Sequence, residues 1–471
     1  MMDAKEIKRY MLRWADENRD AFYELADGIW THPELSMQEH RAADLLCGAL
    51  EGFGFRVERG VGGMPTAFIA GAGNGRPVIG VNCEYDALPG LSQAADRTER
   101  VPIVEGGPGH GCGHNILGVG GLKAAVALRR VMEAYGLSGT IKLIGAPAEE
   151  LCLGKPFLGK AGLLSGFDAI LDWHPWYSND AGCFSCPAYF SVKFHYRGKT
   201  AHGNAPWYGR SALDAAMLQA HATEFLREHL DPGKPPYAAN TFNYTFPDTG
   251  TEFPSVVPDR ATVWYIGRFV TTDDAEEALR RITLCAEGAA ISTETSVERE
   301  IVTATNHRVP NRVLADLMYA NFSALGAPVF TEDERETVKA LQRATGVPET
   351  GLASEILPMS EGFAAVSDIS EFSRNAPFVT ATVAAGPDNV GWHHWTITRC
   401  VAGSIGRKAM DRAAELMAAT GVDLLCDPSL IERAKEEFDE RLGGKGYRCL
   451  LPEDAEPPVD LNADLMAKYG S

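Results

Sequence analysis

The feature that most constrains this chain is a change of hydrophobic period that occurs twice along it. Up to about residue 187, short continuous apolar runs alternate with stretches of helical spacing. The runs at 77–82, 140–145 and 168–173 have the length and composition of buried strands. Residues 115–135 are rich in Ala and Leu, and Gly136 sits where a helix stop belongs. Buried strands alternating with helices imply a largely parallel sheet covered on both faces. From about residue 188 the period becomes two. Phe190, Val192, Phe194 and Tyr196 alternate with polar neighbours, as in a half-exposed strand. A helix is expected over 211–230, strands over 240–246 and 261–268, a second helix over 273–290 and a last strand over 293–303. That β-α-β-β-α-β order is ferredoxin-like. One face of such a sheet must pack on something, often a second subunit. After about residue 305 the α/β pattern resumes, with a helix expected over 398–420 and ending at Gly421. The expected architecture is therefore α/β: a mostly parallel sheet flanked by helices from residues 1–187 and 305–425, an inserted ferredoxin-like α+β domain at 188–304, and a tail at 426–471 packing on the first domain. The tail opens on a capping-box pattern, Ser429 to Glu432.

A chain of 471 residues with 45 % hydrophobic and 23 % charged positions readily buries cores for two or more domains. No apolar stretch has the length of a membrane span. The first thirty residues are charged throughout and place Ile7, Tyr10, Met11 and Trp14, then Phe22, Leu25, Ala26 and Ile29, at helical spacing. This is a folded helix and not a signal core, so the expected compartment is the cytoplasm. A net charge of −19 argues against nucleic-acid binding, which needs clustered Lys and Arg. Ten cysteines without a secretion signal do not make a disulfide framework. Cys183 and Cys186 form one C-x-x-C with no second pair and are read as structural. The glycine-rich stretch from Gly71 to Gly75 opens no helix, so it is no dinucleotide loop. Walker A and G-x-S-x-G sequences are absent.

Three expected strands run into polar residues: Glu84-Tyr85-Asp86, then Glu149-Glu150, then Asp172-Trp173-His174. In open α/β sheets, ligands bind outside the carboxyl ends of strands. Cys112 and His114, flanked by Gly111 and Gly113, precede the 115–135 helix at the same edge. A further cluster, Trp392-His393-His394-Trp395, follows a Gly/Pro/Asp loop. Taken singly, each has a bland explanation as cap, solvated charge or core residue. Together, Cys, His and carboxylate make a donor set suited to zinc or a neighbouring transition metal.

The span from His32-Pro33-Glu34-Leu35 to Trp395 resembles the metal-dependent peptidase and amidohydrolase family of aminoacylases and carboxypeptidases, in particular its branch of p-aminobenzoyl-glutamate hydrolases. The stretches that carry the resemblance are Glu84-Tyr85-Asp86-Ala87-Leu88-Pro89, Gly109-His110-Gly111-Cys112-Gly113-His114-Asn115, Pro147-Ala148-Glu149-Glu150, Trp173-His174-Pro175 and Thr200-Ala201-His202-Gly203-Asn204-Ala205-Pro206. The resemblance implies a zinc-peptidase-like catalytic domain and a divalent transition metal (Zn, Mn or Co), one or two ions per subunit. Cys112, His114, Glu150 and His174 fall at its ligand positions. The last ligand is His393 by register, with His394 the alternative. Glu149 falls at the general base, Asp86 orients a ligand, and His202 of the inserted domain reaches the active site of the partner in a homodimer.

The chain departs from that family in two places. Ser255 stands where conjugate hydrolases usually carry Asn, and the last ligand loop is unusually aromatic. The expected activity is hydrolysis of a C–N bond in a small, aromatic acid, as an amidohydrolase of an aminobenzoyl- or acyl-amino acid conjugate. The alternatives are an aminohydrolase releasing ammonia from a 2-aminobenzoate-type acid, and a catalytically silent regulatory subunit, which loss of Glu149 or of several ligands would mark. Arg210, Arg268, His394, Ser255 and Asn204 are candidate substrate contacts.

Overall fold

The computed structural model describes residues 4–234 and 238–469. Its larger sheet has six strands, in the order Arg56–Arg59, Phe68–Asn74, Gly139–Gly145, Val78–Cys83, Ala169–Trp176 and Phe378–Ala384. The last four run parallel. The first two are each antiparallel to the next strand, an edge that the apolar runs alone did not foresee. Both faces are covered, which is why the parallel strands read as continuous apolar runs. Ile79, Val81, Ile141, Leu143 and Leu171 meet a thick helical layer that includes His114–Tyr135 and Ser404–Cys426. Ile144, Ala146, Ile170 and Phe378 meet a thinner one containing Phe157, Leu158 and Phe372.

The helix His114–Tyr135 lies hard against the strand Val78–Cys83. A Cβ on Gly118 would stand 2.4 Å from the Glu84 carbonyl oxygen, and one on Gly121 2.2 Å from that of Asn82. This helix ends at Gly136 in the left-handed conformation, as expected. Gly421 does not end a helix. It lies inside Ser404–Cys426, and a Cβ there would come 2.7 Å from Leu128, so the glycine permits a close helix–helix approach. The single helix expected over 398–420 is two, Trp395–Val401 and Ser404–Cys426. The N-terminal helix is likewise two, Ala4–Glu17 and Arg19–Thr31.

The second sheet is antiparallel, in the order Thr241–Asp248, Arg260–Phe269, Ala188–Arg197, Ser296–Thr305. The helices Ala212–Leu226 and Thr272–Thr293 join it in a separate core, which gives the ferredoxin-like order its three-dimensional form.

Near the C-terminus the cap differs from the expected box. Asp427 accepts from the Ser429 N–H at 3.1 Å, and Pro428 takes the first helical position of Pro428–Leu442. Proline suits that position because its missing N–H would be unpaired there anyway. Beyond this helix the chain buries Leu451 in the thinner core layer. Its Lys445 pairs with Asp273 at 2.9 Å. No helix among the described residues is long and apolar enough to cross a membrane, and the ten cysteines are all free.

Candidate metal centre

Several backbone devices bring polar groups to the carboxyl edge of the parallel strands. Val78–Cys83 runs into Glu84 and Asp86, and Ala169–Trp176 carries Asp172 and His174. The helix His114–Tyr135 begins at this edge, capped by Gly113 at φ 83°. A side chain there would meet Pro175 at 2.9 Å, so both conformation and space require glycine. After Gly139–Gly145 the chain turns at Ala148, which holds φ 57°. The buried Glu39 secures that turn by accepting the Ala148 N–H at 2.8 Å. The turn directs both Glu149 and Glu150 inward; their side chains are 11 % and 4 % exposed.

The resulting cluster is tight. Cys112 Sγ lies 3.4 Å from His174 Nε2, and His393 Nε2 lies 3.2 Å from Glu150 Oε2. His114 Nε2 faces Glu84, Glu149 and Glu150 at 3.6, 3.8 and 4.0 Å. Cys112, His114 and His174 form one set of donors, and Cys112, Glu150 and His393 form another; within each, the donor atoms lie within 4.8 Å of one another. The two sets share Cys112. A third set, Glu84, His114 and Glu149, is buried throughout.

Asp86 braces the cluster. Its Oδ1 takes the His114 Nδ1 hydrogen bond at 2.8 Å, and its Oδ2 accepts from the Glu150 N–H at 3.0 Å and from Ser36 Oγ at 2.8 Å. Engaging Nδ1 leaves the Nε2 lone pair turned toward the cluster. His174 is set in the same way, with Nδ1 on the Pro175 carbonyl at 2.7 Å. Burial pushes its pKa down to about 4, so its ring is a neutral donor at physiological pH.

These residues fit a divalent transition metal. His114 Nε2 and Glu150 Oε1 are buried without a hydrogen-bond partner, an expensive state unless something else satisfies them. Burial also pushes the Cys112 thiol and the Glu150 carboxyl up, and a bound cation is what keeps such groups deprotonated. Glu149 stands beside the donor sets. Burial, and after it the charge of Glu84, pushes its carboxyl up to about 7.

The two adjacent histidines point differently. His393 meets Glu150 from a backbone at φ 64°. His394 caps the helix Trp395–Val401, its ring accepting from the Thr396 N–H. Aromatic rings flank the cluster: Trp176 stacks edge-on to His174 at 5.8 Å and lies 4.9 Å from Trp392.

The inserted domain's candidates gather elsewhere. His202 Nδ1 accepts the Asn204 N–H at 3.0 Å, and the His202 segment bridges Val256, beside Ser255. Among the described residues, no hydrogen bond or ion pair joins any of these three side chains to the Cys112 cluster. Arg210 is committed to Glu294, with Nε at 2.7 Å, and Arg268 lies over the Tyr189 ring at 5.8 Å.

A further buried polar group lies under the cluster, and no motif marks it. Lys155, fully buried, bonds Glu84 Oε1 at 2.8 Å and Asp368 Oδ1 at 2.5 Å. Against the cost of burial, the Lys155 ammonium holds Glu84 below the usual carboxylate range, with the Asn82 amide adding a hydrogen bond. Ser367 donates to Glu149 Oε1 at 2.6 Å. A lone lysine in the otherwise apolar stretch Leu153-Gly154-Lys155-Pro156-Phe157-Leu158 was the available signal.

Residues 80–419 match the peptidase family M20/M25/M40. The chain belongs to this M20 family. It is 34 % identical to a p-aminobenzoyl-glutamate hydrolase subunit of Escherichia coli (strain K12), over 96 % of this chain and 99 % of that protein. It is 27 % identical to Xaa-Arg dipeptidase of Mus musculus, over 93 % of each. A dinuclear metal-binding M20 peptidase from Bacillus subtilis shares the fold, with a TM-score of 0.57 at 18 % identity, covering 86 % of this chain and 98 % of that one. As an M20 member the chain is a metal-dependent hydrolase of amide bonds, and its cluster is the candidate metal site.

Proposed function

We propose that this protein is an amidohydrolase of an aminobenzoyl- or acyl-amino acid conjugate, with Cys112, His114, Glu150, His174 and His393 as metal ligands and Glu149 as general base. The observation that carries this reading is the pair of donor sets sharing Cys112, with Glu149 directly beside them. These residues would hold one or two divalent ions. When bound, the metal supplies Lewis acidity, making water acidic near neutral pH and polarising a carbonyl.

The residues then divide the work. Glu149, with a pKa near neutrality, takes a proton from the attacking water and returns it to the leaving nitrogen. Asp86 holds His114 and the Glu150 backbone in register through both steps. The Trp176 and Trp392 rings offer an apolar wall for an aromatic acyl group.

The inserted domain supplies the rest in a homodimer. Among the described residues no hydrogen bond or ion pair joins His202 to its own chain's cluster, and Trp207, Tyr208 and Phe253 near it are exposed. The reading places His202 at the partner's site, where it stabilises negative charge on the substrate oxygen. Asn204 and Ser255 lie beside it as substrate contacts. The compartment that suits this reading is the cytoplasm.

The test is a purified protein assayed for metal and turnover. Incubation with p-aminobenzoyl-glutamate is expected to release glutamate, and Glu149→Gln is expected to keep its metal and lose turnover by about 10²-fold or more. A near-wild-type rate in Glu149→Gln overturns the general-base assignment. Ammonia released from a 2-aminobenzoate, with no glutamate from the conjugate, favours the ring-attack reading that the aromatic wall also suits.

A further inference from the structure

Glu149 has two carboxylate oxygens, and the structure treats them differently. Oε2 faces His114 Nε2 at 3.8 Å. Oε1 is turned away and takes the Ser367 hydroxyl at 2.6 Å. Ser367 Oγ in turn accepts the Ile369 N–H at 3.3 Å. A serine hydroxyl has a single proton. An ionised carboxylate can only accept, so that proton is committed to Glu149.

The seat of Ser367 is fixed by its neighbour. Asp368 is fully buried, with Oδ1 on Lys155 Nζ at 2.5 Å and Oδ2 on the Lys155 N–H at 3.1 Å. Its backbone oxygen accepts the Glu371 N–H at 3.0 Å. Lys155 Nζ also holds Glu84, which itself stands 3.6 Å from His114. One buried ammonium therefore ties the loop carrying Ser367 to the strand end beside the candidate ligand His114. A change of loop position would cost a buried ion pair, which is a large penalty.

We propose that Ser367 is a positioning residue for Glu149: it ties down Oε1, leaves Oε2 as the oxygen that meets the reacting water, and is itself held in place by the Lys155–Asp368 pair. The assignment rests on the reading of Glu149 as general base. An unrestrained carboxylate rotates about its last bond, which is broad and roughly two-fold, and spends part of its time misaligned. Orientation of a reacting group is a large part of its catalytic value.

The experiment compares wild type, Ser367→Ala and Ser367→Thr, each loaded with zinc. High-resolution crystal structures are expected to show one Glu149 carboxylate orientation in wild type and Ser367→Thr, and more than one, or a rotated one, in Ser367→Ala. With p-aminobenzoyl-glutamate, Ser367→Ala is expected to lose about 10-fold or more in kcat with KM and zinc content unchanged, and Ser367→Thr to restore the rate. An unchanged carboxylate in Ser367→Ala, an unchanged kcat, or a loss of zinc in step with the loss of rate overturns the proposal. If wild type releases no glutamate, the substrate reading fails; the carboxylate orientation in the crystals still decides the role of Ser367.

Discussion

His393 reaches to 3.2 Å from Glu150 while its backbone holds φ 64°, with its N–H on the Gly111 carbonyl at 3.2 Å. A non-glycine residue in this region carries strain on the order of 1 kcal/mol or more. The surrounding loop imposes that strain, and it aims the imidazole at Glu150. Two substitutions separate the backbone from the ring. His393→Ala is expected to lose bound metal, read by atomic emission on the purified protein. His393→Gly is expected to lose it equally, yet to unfold at higher denaturant than His393→Ala, because glycine relieves about 1 kcal/mol of strain. His394→Ala is expected to keep its metal and to cost at most about 1 kcal/mol through the lost cap. Metal loss in His394→Ala and retention in His393→Ala would reverse the assignment.

Lys155 is the one cation bonded to both Glu84 and Asp368 among the described residues. Lys155→Met preserves bulk and removes the charge, leaving two buried carboxylates without it. Breaking a buried pair in this way costs about 3–5 kcal/mol. Urea unfolding of the variant is expected to show that loss. Lys155→Met combined with Asp368→Asn and Glu84→Gln is expected to recover most of it, because no uncompensated charge remains. A single variant as stable as wild type would mean that the ammonium contributes nothing to the fold.

The parts of the site that were readable from sequence are those placed by local rules. Apolar runs such as 140–145 mark strands, a strand's carboxyl end points to a crevice, and Glu149, Glu150 and His174 follow. Gly113 beside Cys112 and His114 is a local signal too, since a helix start in the left-handed conformation asks for glycine. Ser367 was invisible for the opposite reason. It meets Glu149 across 218 residues of sequence, from a loop with no period and no motif, and only the packed fold brings the two together. Gly421 is ambiguous in sequence because a glycine near the end of an apolar helix is equally consistent with a stop and with a close contact; Leu128, almost three hundred residues earlier in the chain, decides between them.

Gly118 offers a test of how closely the fold controls the site. A methyl there would sit 2.4 Å from the Glu84 carbonyl oxygen and 3.2 Å from Cys83 Sγ. Neither the backbone nor a fully buried cysteine can yield, so the helix bearing His114 must move outward. Gly118→Ala has the better helix former, worth about 1 kcal/mol in an open helix. It is nonetheless expected to be destabilised by about 1–3 kcal/mol through overpacking, and to bind metal more weakly because His114 moves with the helix. Titration calorimetry with zinc, alongside thermal unfolding, reads both. A more stable Gly118→Ala would show that the helix has slack.

The last prediction concerns what the inserted domain does. Its helix Ala212–Leu226 leaves Met217 57 % and Phe225 66 % exposed. These residues are two turns apart, with His221 between them and its ring 5.3 Å from that of Phe225. An apolar stripe of this kind on a helix is costly to leave in water and suits a partner face. If it is the dimer surface, Phe225→Glu is expected to give monomers by light scattering and to lose activity, although Phe225 is on a different domain from the Cys112 cluster. The decisive mixture pairs His202→Ala with Glu149→Gln, each inactive alone. Random exchange between two-fold dimers places an intact Glu149 opposite an intact His202 in one of four sites, so the mixture is expected to recover about a quarter of wild-type activity. No recovery, with exchange verified by mass spectrometry, would place His202 and Glu149 of one chain in the same site and require the inserted domain to close over its own cluster.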